Sequence, residues 1–166
     1  MGRHRHALDV KLLRELRADG GSIDWLDFGF KPGRPWPDAE LKGLEFLTGE
    51  EWRSLQAEWA AFWPVGSGIH NWDAVGWLHH GGRRELLLVE AKAHTGELIS
   101  SCKAKNPGSL EKIHAALSAT KAALGVTTDN DWTECYYQLT NRLATLWFIS
   151  QPTTGISAHL LLIYFV

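Results

Sequence analysis

The stretch from Asn71 to Glu97, NWDAVGWLHHGGRRELLLVEAKAHTGE, decides the predicted fold. Two runs rich in apolar residues flank the pair Gly81-Gly82, which favours a tight turn between antiparallel strands. Glu90 and Lys92 end the second run, and because alternate strand residues share a face, their side chains project side by side. Counting back from the turn brings Asp73 opposite this segment, to within about two residues. The stretch therefore predicts a hairpin that gathers two carboxylates and one amine.

Helical and extended patterns surround the hairpin. Apolar spacing predicts helices over residues 5–18, 48–63, 110–125 and 131–150, a short strand over 22–30 and a final strand over 158–166. In the last helix, Trp132, Tyr136, Leu139, Leu143 and Leu146 recur at helical spacing and are predicted to be its buried stripe. The uninterrupted apolar run AHLLLIYFV is typical of a central strand. This order of elements predicts an α/β or α+β domain with a mixed sheet.

Bulk composition narrows the class of protein. A chain of 166 residues with 45% apolar residues is long enough for one folded domain. The formal net charge of -2 gives no overall attraction to nucleic acid, so a polyanion would need a local basic patch. Cys102 and Cys135 lie far apart without zinc-ligand spacing, which favours a reducing compartment. With no long apolar segment, we expect a cytoplasmic protein without a membrane partner.

The charged side chains of the hairpin suit one kind of chemistry. Two adjacent carboxylates, Asp73 and Glu90, repel each other, and a divalent cation removes that penalty. Mg²⁺ prefers a few carboxylate oxygens together with water and phosphate. An amine such as Lys92, two residues from a ligand, can orient the attacking water or stabilise the transition state. These residue types at this spacing indicate hydrolysis of a phosphodiester.

The pattern WD…VEAK resembles the PD-(D/E)XK nuclease superfamily, whose core is a helix, a strand hairpin carrying D and ExK, a helix and a further strand. The resemblance covers about residues 48–125 and the last strand. It implies a restriction-endonuclease-like fold with a mixed β-sheet core flanked by helices, in a single domain of residues 1–166 with 1–47 as an N-terminal extension. It also implies Asp73, Glu90 and the backbone carbonyl of Ala91 as ligands of Mg²⁺ or Mn²⁺, and Lys92 as the catalytic lysine.

Many members of the superfamily add an acidic residue from the helix before the first motif strand. Glu58 and Glu51 are the candidates, and the helical register favours Glu58. The chain departs from the pattern at Trp72, which replaces the proline before Asp73. A second literal match, PDAELK at residues 37–42, is rejected because its acidic residues are too close for paired strands and it reads as a helix start.

Several further polar residues are candidates for contact with nucleic acid. Three follow the motif strand and have a solvated loop as their alternative role: Lys103, Lys105 and Lys112. Some relatives in the superfamily carry a glutamine on a helix near the site, which makes Gln138 and Arg142 candidates. Their alternative is a solvent-facing stripe of the last helix.

The resemblance implies a metal-dependent endonuclease that acts on nucleic acid, with DNA preferred over RNA as the expected substrate. Cutting both strands of a duplex would favour a homodimer. Two alternatives stay open. The chain could keep the fold as an inactive module that binds nucleic acid or a partner protein. It could also be a structural domain in which the three charges only pair with each other.

Overall fold

The computed structural model of the chain describes residues 5–26, 41–66 and 69–165. The helices are α1 (Arg5–Glu15), α2 (Arg53–Phe62), α3 (Pro107–Ala123) and α4 (Tyr137–Ile149). The strands are β1 (Ser22–Trp25), β2 (Leu41–Lys42), β3 (Asn71–Trp72), β4 (Ala74–His80), β5 (Arg83–Lys92) and β6 (Ala158–Tyr164). The predicted helices and strands occur in the predicted order over these ranges, whereas β2 and the separation of β3 from β4 were not predicted.

The main sheet combines antiparallel and parallel pairing. Within the described residues its strand order is β1-β4-β5-β6, and β2 pairs separately with β3. β1, β4 and β5 run antiparallel to their neighbours, whereas β6 runs parallel to β5. A parallel return requires a long crossover, which α3 and α4 provide. The chain is therefore a mixed α+β protein.

The central hairpin forms as the sequence predicts. Gly81 and Gly82 adopt φ angles of +57° and +74°, the left-handed conformations that a two-residue hairpin turn requires. His80 pairs with Arg83, and the ladder continues to Ala74 opposite Val89. This register confirms that Asp73 lies opposite the end of β5.

The first strand of the hairpin is interrupted at Asp73. β4 begins at Ala74, whereas Trp72 belongs to β3 and pairs with Leu41 of β2. The Asp73 backbone amide still donates to the Val89 carbonyl at 3.1 Å, so the ladder to β5 is kept. The interruption lets the chain leave the sheet immediately before the first predicted site residue.

Each face of β5 packs against a different hydrophobic core. Leu86 and Leu88 contribute to the core beneath α2, α3 and α4. Leu87 and Val89 contribute to the core on the α1 side, where Leu12 is buried. Because side chains alternate along a strand, Glu90 and Lys92 share the face of Leu86 and Leu88. The sheet therefore directs the charged pair towards α3 and α4.

The predicted start of the last helix at Asp131 is wrong. Asp131 Oδ1 instead accepts hydrogen bonds from the amide and the hydroxyl of Thr133, at 2.7 and 2.6 Å. This side-chain turn competes with helical hydrogen bonding. Tyr136 then adopts a left-handed φ of +59°, and α4 begins only at Tyr137.

The predicted buried stripe of that helix is also wrong. Leu139, Leu143 and Leu146 are only partly buried, and Tyr136 is exposed. The buried positions of α4 are Thr140, Asn141, Arg142, Ala144, Thr145, Phe148 and Ile149. This mixed face places Arg142 against the buried Glu90, where it compensates the carboxylate charge.

The prediction that the final run is a central strand is wrong for the sheet as described. Among the described strands, β6 lies at the end of the main sheet, next to β5. Its apolar character has another cause. Leu160 packs into the core on the α4 side, whereas Leu161 and Ile163 pack into the core on the α1 side. An edge strand that is covered on both faces shows the same apolar run as a central one.

The segment predicted as an N-terminal extension contributes to the sheet, because β1 pairs with β4. The predicted strand over 22–30 is described only through residue 26, and the rest of it and the following loop lie outside the described residues. Residues 37–40 of the rejected PDAELK match also lie outside them. Leu41–Lys42 form β2, so the predicted helix start is wrong there. None of the helices in the described ranges is long and apolar enough to cross a membrane.

Candidate active site

A cavity of about 990 Å³ opens at the end of β5. Asp73, Glu90 and Lys92 all line it, so the structure brings the three predicted residues of the hairpin together. The wall also includes three further basic side chains, Lys103, Lys105 and Arg142, and a third acidic one, Glu134. In a protein of net charge -2, the cavity wall is therefore locally richer in basic than in acidic groups.

Asp73 is exposed as a residue, but its carboxyl group is partly shielded from solvent and is oriented by the neighbouring strand. Its Oδ2 atom accepts a hydrogen bond from the Ala91 amide at 2.6 Å. The pKa of the Asp73 carboxyl is raised, first by burial and then by the nearby Glu90 carboxylate, while the Ala91 bond acts in the opposite direction. Asp73 is thus a carboxylate whose ionised form would be favoured by a nearby cation.

Glu90 is buried, with only 6% of its surface exposed, and both of its carboxylate oxygens are paired. Oε1 lies 2.5 Å from the Lys92 ammonium. Oε2 accepts from Nε and Nη2 of Arg142, at 2.9 and 2.7 Å. A carboxylate at this depth is tolerated because two cations compensate for its lost hydration.

Arg142 holds this cluster together from α4. Besides Glu90, its guanidinium donates to the Asn141 side-chain oxygen at 2.6 Å and to the Asn71 carbonyl at 2.7 Å. It also lies over the Trp72 ring, 5.0 Å from the ring centre. Most of its donors are therefore committed within the protein.

Sequence reasoning missed this partner of Glu90. Arg142 was considered as a contact to nucleic acid or as part of a solvent-facing stripe, and the second alternative is wrong because the residue is 4% exposed. One signal in the sequence pointed to it. Arg142 is the only charged residue of α4, in the middle of an otherwise uncharged helix. Such a cation is a candidate partner for a carboxylate predicted at a buried strand end.

The structure does not bring Glu58 to the cavity. Glu58 is exposed on α2, where it accepts a hydrogen bond from Ser54 Oγ at 3.1 Å. Glu51 is exposed and does not line the cavity either. The acidic residue that joins Asp73 and Glu90 in the wall is Glu134, which precedes α4 and was not predicted.

The other residues predicted to contact nucleic acid fall into two groups. Lys103, Lys105 and Gln138 line the cavity and are exposed, so their polar groups are accessible to a ligand. Lys112 is partly buried and its ammonium donates to the Ala60 carbonyl at 2.8 Å, near the end of α2. Lys112 therefore ties α3 to α2.

Beneath the cavity lies an aromatic cluster around His70. The ring of His70 meets those of Trp59, Trp63 and Trp72 edge-on, with centre separations of 5.0 to 6.3 Å. Thr145 Oγ1 lies within hydrogen-bonding distance of both the Asn141 carbonyl, at 2.9 Å, and His70 Nε2, at 3.2 Å. His70 Nδ1 is buried, and no hydrogen-bond partner for it occurs in the described part of the chain.

This environment keeps the imidazole neutral. The pKa of His70 is lowered well below its ordinary value, first by burial and then by the positive charge of Arg142. Trp59 Nε1 is likewise buried without a partner among the described residues. The cluster thus contains two buried polar atoms that have no hydrogen-bond partner in the described ranges.

The donor atoms at the cavity fit a hard cation in part. Asp73 and Glu90 offer carboxylate oxygens, and the Ala91 carbonyl lies on the side of β5 that faces Asp73, because the amide and carbonyl of a strand residue point the same way. However, the described residues contain no group of three or more His, Cys, Asp or Glu placed to hold a metal. A cation would also compete with Lys92 and Arg142 for Glu90.

Comparison of the chain with protein-family models, with curated proteins and with solved structures found no match. The resemblance to the PD-(D/E)XK superfamily consequently stays a prediction based on the residues.

Proposed function

We propose that the chain is a metal-dependent nuclease that hydrolyses phosphodiester bonds in nucleic acid, with DNA as the expected substrate. The observation that carries the proposal is the convergence of Asp73, Glu90 and Lys92 on the wall of one polar cavity. These are the residue types that the resemblance requires, at the end of a hairpin with the expected register. The restriction-endonuclease-like fold is part of the same proposal.

In this proposal Asp73, Glu90 and the Ala91 carbonyl would hold Mg²⁺ or Mn²⁺. When bound, the metal would polarise the scissile phosphate and acidify a water. Asp73 would be pre-oriented, because its Oδ2 is fixed by the Ala91 amide. Burial and, after it, the Glu90 carboxylate raise the pKa of Asp73, and the added positive charge would offset both effects.

Lys92 would place a positive charge where negative charge develops on the phosphate. Its ammonium is held at the cavity wall by Glu90, 2.5 Å away. Lys103 and Lys105 would bind neighbouring phosphates, since both are exposed on the loop that follows β5. Arg142 would act through Glu90, which it holds by two hydrogen bonds.

One observation favours a second candidate function, a module that binds nucleic acid or a partner protein without cutting. Both oxygens of Glu90 are already paired with cations, Lys92 and Arg142. A buried carboxylate that is paired with two cations in this way needs no metal to be stable. The basic side chains around the cavity would still attract a polyanion.

The discriminating experiment is a cleavage panel of plasmid, single-stranded DNA and RNA with Mg²⁺ or Mn²⁺. We expect metal-dependent cutting by the native chain and a loss of about a hundredfold or more in Asp73→Asn and in Lys92→Ala. Asp24→Asn is the matched control, because Asp24 is exposed on β1 and pairs with His79. Calorimetric titration with Mn²⁺ should show binding that Asp73→Asn abolishes and Asp24→Asn retains.

The Asp73→Asn variant should fold normally. An amide oxygen can still accept from the Ala91 amide, and the substitution removes a carboxylate whose raised pKa disfavours the ionised form. We therefore expect a change of about 0.5 kcal/mol or less in the free energy of unfolding, towards greater stability. Salt-dependent binding of nucleic acid without cutting would support the second candidate, whereas neither binding nor cutting would contradict both.

A further inference from the structure

The outer edge of β6 carries unpaired backbone groups. β5 pairs with one side of this strand, and within the described residues no strand pairs with the other. The Ser157 carbonyl and the Phe165 amide form hydrogen bonds with β5. Because alternate residues of a strand point their backbone groups to the same side, the amides and carbonyls of the odd-numbered residues between them face β5 as well. The amides and carbonyls of Leu160, Leu162 and Tyr164 therefore point outwards, as a template for another strand.

The two edges of the main sheet differ in how they are protected. β1 has only four residues and carries Asp24, which is paired with His79 at 3.1 Å. β6 has seven residues, and the stretch from Ala158 to Phe165 contains no Asp, Glu, Lys, Arg or Pro. Short length, charge and proline are the usual protection of an edge against pairing. β6 has none of these features.

Apolar side chains continue this edge onto α4. Leu162 and Tyr164 are each 39% exposed and Phe165 is 65% exposed. Leu162 and Tyr164 line a surface crevice together with Leu139 of α4. Leu143, one turn further along the helix, is also only partly buried. The leucine stripe that helical spacing predicts as core is thus left incompletely covered, beside an unpaired strand.

We propose that a second copy of this chain covers this surface through antiparallel pairing of β6 with β6. A two-fold axis normal to the sheet and passing near Leu162 places Leu160, Leu162 and Tyr164 opposite the same three residues of the partner. Outward-facing backbone groups then meet outward-facing groups, and the two sheets become one continuous sheet. The axis also keeps both α4 helices on one face, where the partly buried leucines of the two copies approach each other.

The chemistry of the strip favours an identical partner over a different one. The strip formed by the outward-facing residues Leu160, Leu162 and Tyr164 carries no charge, so antiparallel pairing of two copies brings no like charges together along it. The same residues serve on both sides, as a two-fold interface requires. The inference does not depend on the proposed nuclease activity.

The test combines the mass of the full-length chain in solution with hydrogen exchange, each from low to high micromolar concentration. We expect a monomer–dimer equilibrium in which the amides of Leu160, Leu162 and Tyr164 become protected as the dimer forms. The amides of Leu161 and Ile163, which face β5, should be protected at every concentration. Leu162→Lys should weaken the dimer by about a hundredfold or more, because it places like charges together at the axis.

Leu124→Lys is the matched control, because Leu124 is 50% exposed at the end of α3 and lies outside the strip. It should dimerise like the native chain, and circular dichroism should show that both variants are folded. A native chain that stays monomeric at high concentration overturns the proposal. So does a dimer that withstands Leu162→Lys, or a monomer whose edge amides are protected at all concentrations.

Discussion

The floor of the cavity has two halves that are built on opposite principles. On one side Glu90, Lys92, Arg142 and Asn141 form a charged cluster in which each group is satisfied by another. On the other side His70 and the rings of Trp59, Trp63 and Trp72 form an aromatic cluster in which two polar atoms find no partner in the described ranges. In the charged half, we expect the free energy of unfolding to fall most when one member of an ion pair is removed. In the aromatic half, we expect it to fall when a ring is replaced by a smaller one.

The largest effect should come from breaking the charged half. Arg142→Ala leaves the buried Glu90 with Lys92 alone, and we expect the free energy of unfolding to fall by about 3 to 5 kcal/mol. Urea denaturation measures this. Arg53→Ala is the control, because the Arg53–Glu50 pair is exposed on both sides and should contribute less than about 1 kcal/mol.

The double variant Glu90→Gln with Arg142→Met sharpens that result. If the cost of Arg142→Ala arises from an uncompensated charge, the double variant should be less destabilised than Arg142→Met alone, giving a favourable coupling in the mutant cycle. Additive losses would mean that the guanidinium acts through its packing on Trp72 instead.

Replacing each of two tryptophans in the aromatic half should have effects of intermediate size on stability, and the two effects should differ. Trp72 Nε1 donates to the Gly43 carbonyl at 2.8 Å, whereas Trp59 Nε1 has no partner among the described residues. Replacing either by Phe loses ring volume, but only Trp72→Phe also leaves a buried carbonyl unpaired. We expect Trp72→Phe to cost about 1 to 2 kcal/mol more than Trp59→Phe. Equal losses in thermal or urea unfolding would contradict this assignment.

The smallest effect should be the acid sensitivity of His70. Its folded pKa is lowered, so the unfolded chain binds the proton more readily. The stability associated with the neutral ring is complete above about pH 6.5 and is lost as the pH falls below that value, by about 1 kcal/mol per pH unit. His70→Phe should remove this dependence, as measured by urea denaturation from pH 7.5 to 5.

His80→Phe is the matched control, since His80 is exposed beside the hairpin turn. It should retain the acid sensitivity of the native chain. If His70→Phe keeps the same slope, the buried imidazole is not its source.

Much of the fold could be predicted because local chemistry fixes it. Gly81-Gly82 requires a tight turn, and the turn sets the register that brings Asp73 to Glu90 and Lys92. The helices around it were recognised by their apolar spacing. The ends of helices and the faces that they bury were less predictable. Asp131 forms a side-chain turn instead of starting a helix, and the leucine stripe of α4 is only partly buried.

The sequence by itself determined the hairpin, its register and the two carboxylates and amine at its end, because these depend on residues close together in the chain and on the two-residue period of a strand. Only the tertiary structure decided that Arg142 pairs with Glu90, that Glu134 rather than Glu58 lines the cavity, and that β6 is the last of the described strands in the sheet. Those outcomes depend on contacts between segments that are far apart in the chain. Arg142 of α4, for example, compensates the buried Glu90 carboxylate of β5, a pairing that helical periodicity does not encode.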